Sequence, residues 1–196
     1  MRPDEFLEIM HVTERLKDTI RHCTTSKGRP ESVAEHSWRI SLMAMLLRDE
    51  FPEADMERVT EMCLIHDLGE CFTGDIPTFL KTTADENTEA RLLADWVDSL
   101  PPEISARMKA LYAEMDAMET AEAKIYKALD RFEAVIQHNE SPISTWAENE
   151  YTLNRVYGSE NAEFHPWLKA LRSEMLRETD EKIVLSRDAE GDIQNS

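Results

Sequence analysis

Glycine is scarce, with five in 196 residues at positions 28, 69, 74, 158 and 191. None falls in a Walker loop or a dinucleotide fingerprint, which excludes both of those nucleotide chemistries. Positive charge is also in short supply: 22 Lys and Arg face 40 Asp and Glu, a net charge of −18 with histidines neutral. Such a surface repels polyphosphate backbones, so nucleic acid is excluded as the main partner, and any anionic substrate must be small and held locally. The cysteines, Cys23, Cys63 and Cys71, are odd in number and form no CxxC. They read as reduced thiols of a cytosolic protein, neither a disulfide framework nor a thiolate zinc site. No long apolar run follows the opening Met1-Arg2-Pro3-Asp4-Glu5. Neither a signal peptide nor a membrane span is therefore expected, and the protein is placed in the cytoplasm with no membrane partner.

Apolar residues recur at helical spacing almost throughout, without period-two runs of β-branched residues, so the expected fold class is all-α. A first helix is predicted from Asp4 to Ile20, its stripe formed by Phe6, Ile9, Met10, Thr13 and Leu16. The segment Arg21 to Pro30 breaks the pattern. Ser32-Val33-Ala34-Glu35 is a capping box, in which serine and glutamate satisfy each other's backbone donors. A helix to about Glu50 follows, then one over 55–68 and a connection interrupted by Gly69, Gly74 and Pro77. Further helices are predicted near 85–99, 103–115, 119–139, 144–157 and 165–179. With no repeats, a single domain over 1–182 and a frayed acidic tail over 183–196 are expected.

Three of these helices carry chemistry on apolar faces. Val33, His36, Ile40, Met43 and Leu47 fall on one line, with an imidazole in its middle. His66 shares a face with Val59 and Met62 or Cys63, and Asp67 follows at once. Asp130 falls with Ala123, Tyr126 and Ala134, away from the polar stripe of Lys124, Lys127, Arg131 and His138. Each alone is most simply a hydrogen-bonded core residue. Together His36, His66, Asp67 and Asp130 are four groups of the types that bind a divalent ion, all facing inward. Glu70, one turn after His66, and Asp75 in Thr73-Gly74-Asp75-Ile76-Pro77-Thr78 are carboxylates of the kind needed to move protons beside such an ion. On their own they read as a solvated helix end and a turn former.

The order His36, then His66-Asp67, then Asp130 resembles the HD-domain metal-dependent phosphohydrolases. Pro30-Glu31-Ser32-Val33-Ala34-Glu35-His36-Ser37, His66-Asp67-Leu68-Gly69-Glu70 and the segment from Thr73 to Thr78 are similar to the 5′-deoxynucleotidase branch, across about residues 5–140. The resemblance implies an all-α HD helical bundle with a metal site between central helices, typically a homodimer. It implies one divalent transition ion (Co, Mn, Zn, Fe or Ni) on His36, His66, Asp67 and Asp130. Glu70 and Asp75 would be the catalytic carboxylates, Arg21 would hold the phosphate, and the substrate would be a nucleoside monophosphate losing its 5′-phosphate. His22 stands where the family has a tryptophan against the sugar, which puts sugar preference in question. Three alternatives stand beside this reading. Another phosphate ester or a nucleoside triphosphate could be cut, although a triphosphate wants more cations than Arg21 and Lys81 offer. A di-iron oxygenase would need more histidines near the site. A non-catalytic regulatory module has no need of Glu70, Asp75 and Arg21 together.

Overall fold

The computed structural model describes the backbone of residues 1–194 and side chains through residue 186. The elements are α1 Pro3–Thr13, β1 Ile20–Thr24, β2 Pro30–Ser32, α2 Val33–Leu46, α3 Met56–Ile65, α4 Glu70–Thr73, α5 Thr83–Ser99, α6 Pro102–Ala117, α7 Ala121–Glu140, α8 Glu150–Val156, α9 Ser159–Ala162 and α10 Pro166–Gln194. Among the described residues the fold is all-α apart from one two-stranded sheet, β1 with β2. Among the described residues no helix is long and apolar enough to cross a membrane. The chain forms two compact units, Met1–His22 with Glu31–Tyr126 and Cys23–Pro30 with Lys127–Ser196.

In the first unit, helix boundaries follow local caps. The Ser32 hydroxyl accepts the Glu35 N–H at 3.3 Å while the Ser32 N–H donates to Glu35 Oε2 at 2.9 Å, so α2 starts where the capping box places it. Thr82 and Asp85 repeat this arrangement at the start of α5, two residues before the predicted boundary. Asp55 caps α3 by accepting the Arg58 N–H at 3.1 Å. The first helix departs from expectation: α1 ends at Thr13, and one 3-10 turn, Glu14–Lys17, follows it. The carbonyl of Thr19 accepts the Val33 N–H at 2.9 Å, a tertiary bond that commits the backbone to β1 instead of another helical turn. Leu16, Val33, Leu68 and Cys71 form a buried cluster, with Ile65, Phe72, Trp96 and Met108 packed against it.

The second unit is built on the later part of α7 and on α8 to α10. Leu168, Arg172, Met175, Thr179 and Ile183 recur at steps of three and four along α10 and are all buried. The helix thus continues past Lys182; residues 195–196 lie outside the described ones. The Arg172 guanidinium is accommodated by the carbonyls of Tyr157 at 3.1 Å and Asn154 at 3.0 Å.

A buried ion pair also sits here. His138 Nδ1–H donates to the Ala134 carbonyl at 2.8 Å, near the Cys23 thiol at 3.7 Å, and its Nε2 lies 2.7 Å from Glu150 Oε1. Burial alone would lower the imidazole pKa, but its bonds to Cys23 and Glu150 win and push it up to about 10. A folded-state pKa above the free value of about 6.5 stabilises the fold fully below that value, and this contribution drains away as pH rises toward 10. Glu150→Ala, which strands a buried imidazolium, is expected to lower unfolding free energy by about 3–5 kcal/mol. Urea unfolding between pH 6 and 10 will show the wild type losing stability that His138→Gln does not lose; parallel curves would remove the ion pair from the stability of this unit.

Candidate metal centre

His36 lies one turn into α2, on the face it shares with Val33 and Ile40, and is 0% exposed. His66 is the residue that ends α3. Its Nδ1 lies 3.0 Å from the Cys63 carbonyl. A carbonyl can only accept, so Nδ1 carries the proton and Nε2 keeps a lone pair. The Nε2 atoms of His36 and His66 are 3.2 Å apart. Asp67 Oδ2 lies 2.8 Å from His66 Nε2 and 3.9 Å from His36 Nε2. Donors held about 2.0–2.2 Å from one first-row ion sit roughly 3.0–3.5 Å from each other; the three distances in this trio, 2.8, 3.2 and 3.9 Å, bracket that range, so its atoms are grouped closely enough to share one ion after small side-chain shifts. Its chemistry, two imidazoles and a carboxylate, fits a divalent transition ion.

The sequence patterns that bring these groups together are local. The capping box sets the first residue of α2 and hence the phase of His36. The end of α3 turns His66 and Asp67 toward it. Tyr112 of α6 donates its hydroxyl to the Ile65 carbonyl at 2.7 Å, and the Tyr126 ring lies 5.8 Å from the His66 ring. Asp130, the fourth expected ligand, belongs to the second unit; it lies one helical turn along α7 from Tyr126, and its Oδ2 accepts from Lys127 Nζ at 2.8 Å.

Strand β1 alternates as a strand must, with Arg21 and Cys23 directed inward and His22 outward. Arg21 Nε is 3.2 Å from Glu31 Oε2 and its Nη1 is 3.7 Å from Asp67 Oδ2. Glu31, on β2 and almost fully buried, holds the guanidinium. Sequence reasoning assigned Glu31 no role of its own, although it lies within the segment quoted up to His36, because its pairing with Arg21 depends on two short strands meeting. The exposed His22 packs edge-on against Phe79 at 5.4 Å, a partner that periodicity could not supply from an irregular loop.

Glu70 is not a solvated helix end. It opens α4, is 6% exposed, and its Oε2 is buried without a hydrogen-bond partner among the described residues. Burial first, then the charges of Asp67 and Asp75, push its carboxyl well above the ordinary range, with Arg21 opposing. Asp75 follows Gly74, whose φ of +76° lets the chain reverse at the end of α4 where a side chain would be strained. Burial raises the Asp75 carboxyl too, while Arg21 and the backbone N–H of His22 hold it back. The centre therefore combines three grouped ligand atoms, a cation, and two desolvated carboxyl groups whose hold on a proton is strengthened by burial.

The family model described as HD domain matches residues 13–172. The chain is 29% identical over 191 residues to 5′-deoxynucleotidase HDDC2 of Dictyostelium discoideum, covering 90% of this chain and 98% of that one. It is 30% identical over 162 residues to 5′-deoxynucleotidase HDDC2 of Homo sapiens, covering 80% of this chain and 76% of that one. Among solved structures it superposes with a TM-score of 0.75 on a protein titled a predicted metal-dependent phosphohydrolase from Magnetospirillum magnetotacticum, 27% identical over 92% of this chain and 94% of that one.

Proposed function

Given that this chain belongs to the HD domain family, we propose that it is a metal-dependent phosphohydrolase that removes the 5′-phosphate from deoxynucleoside and nucleoside monophosphates. One observation carries the reading: the Nε2 atoms of His36 and His66 and a carboxylate oxygen of Asp67 converge, and the nearby Glu70 has a buried oxygen that no described residue satisfies.

His36, His66, Asp67 and Asp130 would hold one divalent transition ion (Co, Mn, Zn, Fe or Ni). When bound, such an ion lowers the pKa of water and polarises a phosphoryl oxygen. The chain's own residues do the rest. Arg21, fixed by Glu31 at one edge of its planar fork, orients the phosphate. One of Glu70 and Asp75 takes the proton of the attacking water as the new P–O bond forms. The other gives a proton to the 5′-oxygen as the old P–O bond breaks, releasing nucleoside and inorganic phosphate. In the same reading the protein is a cytoplasmic homodimer whose substrate is the small nucleotide itself. Trp38, Met45 and Leu46, spaced by seven and eight residues on α2 and all exposed, supply an apolar stripe for the second copy.

A panel of phosphate esters with several divalent ions tests the reaction: deoxynucleoside monophosphates will release phosphate, whereas turnover of triphosphates alone would overturn it. Sugar choice is tested at His22. The imidazole is smaller than an indole and brings a donor or acceptor for a 2′-hydroxyl. His22→Trp is expected to raise the preference for dAMP over AMP, since a hydroxyl-sensitive contact of ~1–3 kcal/mol changes the kcat/KM ratio roughly ten- to hundredfold. An unchanged ratio would remove position 22 from the sugar pocket.

A further inference from the structure

Lys81 lies in the loop between α4 and α5, and its backbone is fixed by a turn: the N–H groups of Leu80 and Lys81 donate to the Pro77 carbonyl at 2.7 and 3.0 Å. Its side chain is not a solvated one. The ammonium lies 2.8 Å from Glu89 Oε2, and both side chains are about one-fifth exposed. The same Glu89 oxygen accepts the Thr73 hydroxyl at 3.3 Å. Glu89 itself crosses the HD segment at Gly69, where an added Cβ would stand 2.7 Å from Glu89 Cγ. Gly69 has ordinary helical dihedrals, so the demand for glycine here is room for this glutamate and not backbone freedom. Three separate parts of the chain, α4, α5 and the loop, thus converge to hold one lysine against the segment that carries Asp67 and Glu70.

That placement has an electrostatic purpose. The surroundings already contain Asp67, Glu70 and Asp75, while Arg21 is engaged by Glu31 and Asp67. A phosphate monoester dianion entering here needs a further cation. The fields of Glu70 and Asp67 act on Lys81, and with Glu89 they hold it protonated against the effect of burial. An ammonium has three N–H donors, and Glu89 accepts one.

We propose that Lys81 is a second cation of the substrate-phosphate pocket, held toward Asp67 and Glu70 by Glu89 across the bare face of Gly69. Lys81 contacts the phosphate; Glu89 is a positioning residue that acts through it. The inference rests on the phosphohydrolase reading above, but it concerns how phosphate is bound and is measured apart from turnover.

The test is calorimetric titration of the metal-loaded full chain with inorganic phosphate and, separately, with deoxyadenosine, which lacks the phosphate. Lys81→Met is expected to weaken phosphate binding tenfold or more and to leave deoxyadenosine binding unchanged. Lys81→Arg will restore most of the phosphate affinity, and Glu89→Gln will lower it less than Lys81→Met does. Unchanged phosphate affinity in Lys81→Met overturns the proposal, as does an equal loss for both ligands, which is the signature of a purely structural ion pair. Lys81-dependent phosphate binding by a wild type that cuts no nucleoside monophosphate upholds Lys81 and overturns the nucleotidase reading instead.

Discussion

Asp67→Ala will leave the purified chain without its divalent ion and without measurable phosphohydrolase activity, while the fold survives. Asp67 supplies the oxygen that lies nearest to His66 Nε2, and no other carboxylate among the first unit's described residues forms a chelating trio with the two imidazoles. Two neutral imidazoles alone bind a divalent ion far more weakly than a set that also brings negative charge. The side chain is about one-fifth exposed, so its removal opens no core cavity. His36→Ala loses the ion as well, but that side chain is fully buried between Val33 and Ile40, and the substitution also costs packing. Asp67→Ala is therefore the cleaner variant. Elemental analysis giving full occupancy in Asp67→Ala would refute the centre as assigned, and a melting curve close to that of the metal-free wild type will show that the chain is still folded.

The second large effect belongs to Glu70. Glu70→Gln keeps the shape of the side chain and removes only its ability to exchange a proton. It is expected to retain the ion and to lower kcat by about 10²–10⁴-fold, the usual contribution of a general acid or base. The stability change is small. Desolvation and the neighbouring Asp67 and Asp75 push this carboxyl up to about 9, so at neutral pH it is already uncharged and the amide replaces one neutral group with another. The variant will therefore melt close to the wild type, which separates loss of chemistry from loss of structure. An undiminished kcat with full metal would exclude Glu70 from proton transfer.

How far the sequence could be read depended on the length of the pattern that carried each feature. His36 was legible because α2 sustains its apolar stripe on both sides of the histidine, and the capping box fixes its phase. His66-Asp67 was legible as an imidazole and an acid at the close of another stripe, and the structure brings them to His36. The helical class was legible for the same reason. The sheet was not, since β1 and β2 have five and three residues, too few for a period of two to stand out. With the sheet went the pairing of Arg21 and Glu31, which depends on two strands meeting. The end of α1 was missed because the Thr19 carbonyl is claimed by Val33, fourteen residues away and invisible to local propensity. Glu70 sat at a predicted helix end, where exposure is the ordinary outcome; only the packing around α4 makes it buried. Glu89 lay in a helix with no feature to mark it, and its significance comes from a missing side chain at Gly69.

The closing turn of α3 binds two matters that are ordinarily separate. The last carbonyls of a helix run out of intrahelical donors, and here side chains reach two of them: the imidazole of His66 bonds that of Cys63, and the phenol of Tyr112 joins the Leu68 N–H on that of Ile65. The imidazole that closes the helix is the same one whose other nitrogen faces His36. Fraying of that turn would swing the ring away from His36; an ion held on Nε2, as proposed, would pin the ring and so clamp the turn. Local opening of the helix and escape of such an ion would then be one event with a shared barrier. On that proposal the lifetime of the bound ion would depend on the tenacity of a helix end, and Tyr112 on α6, outside the proposed ligand set, would help to govern it.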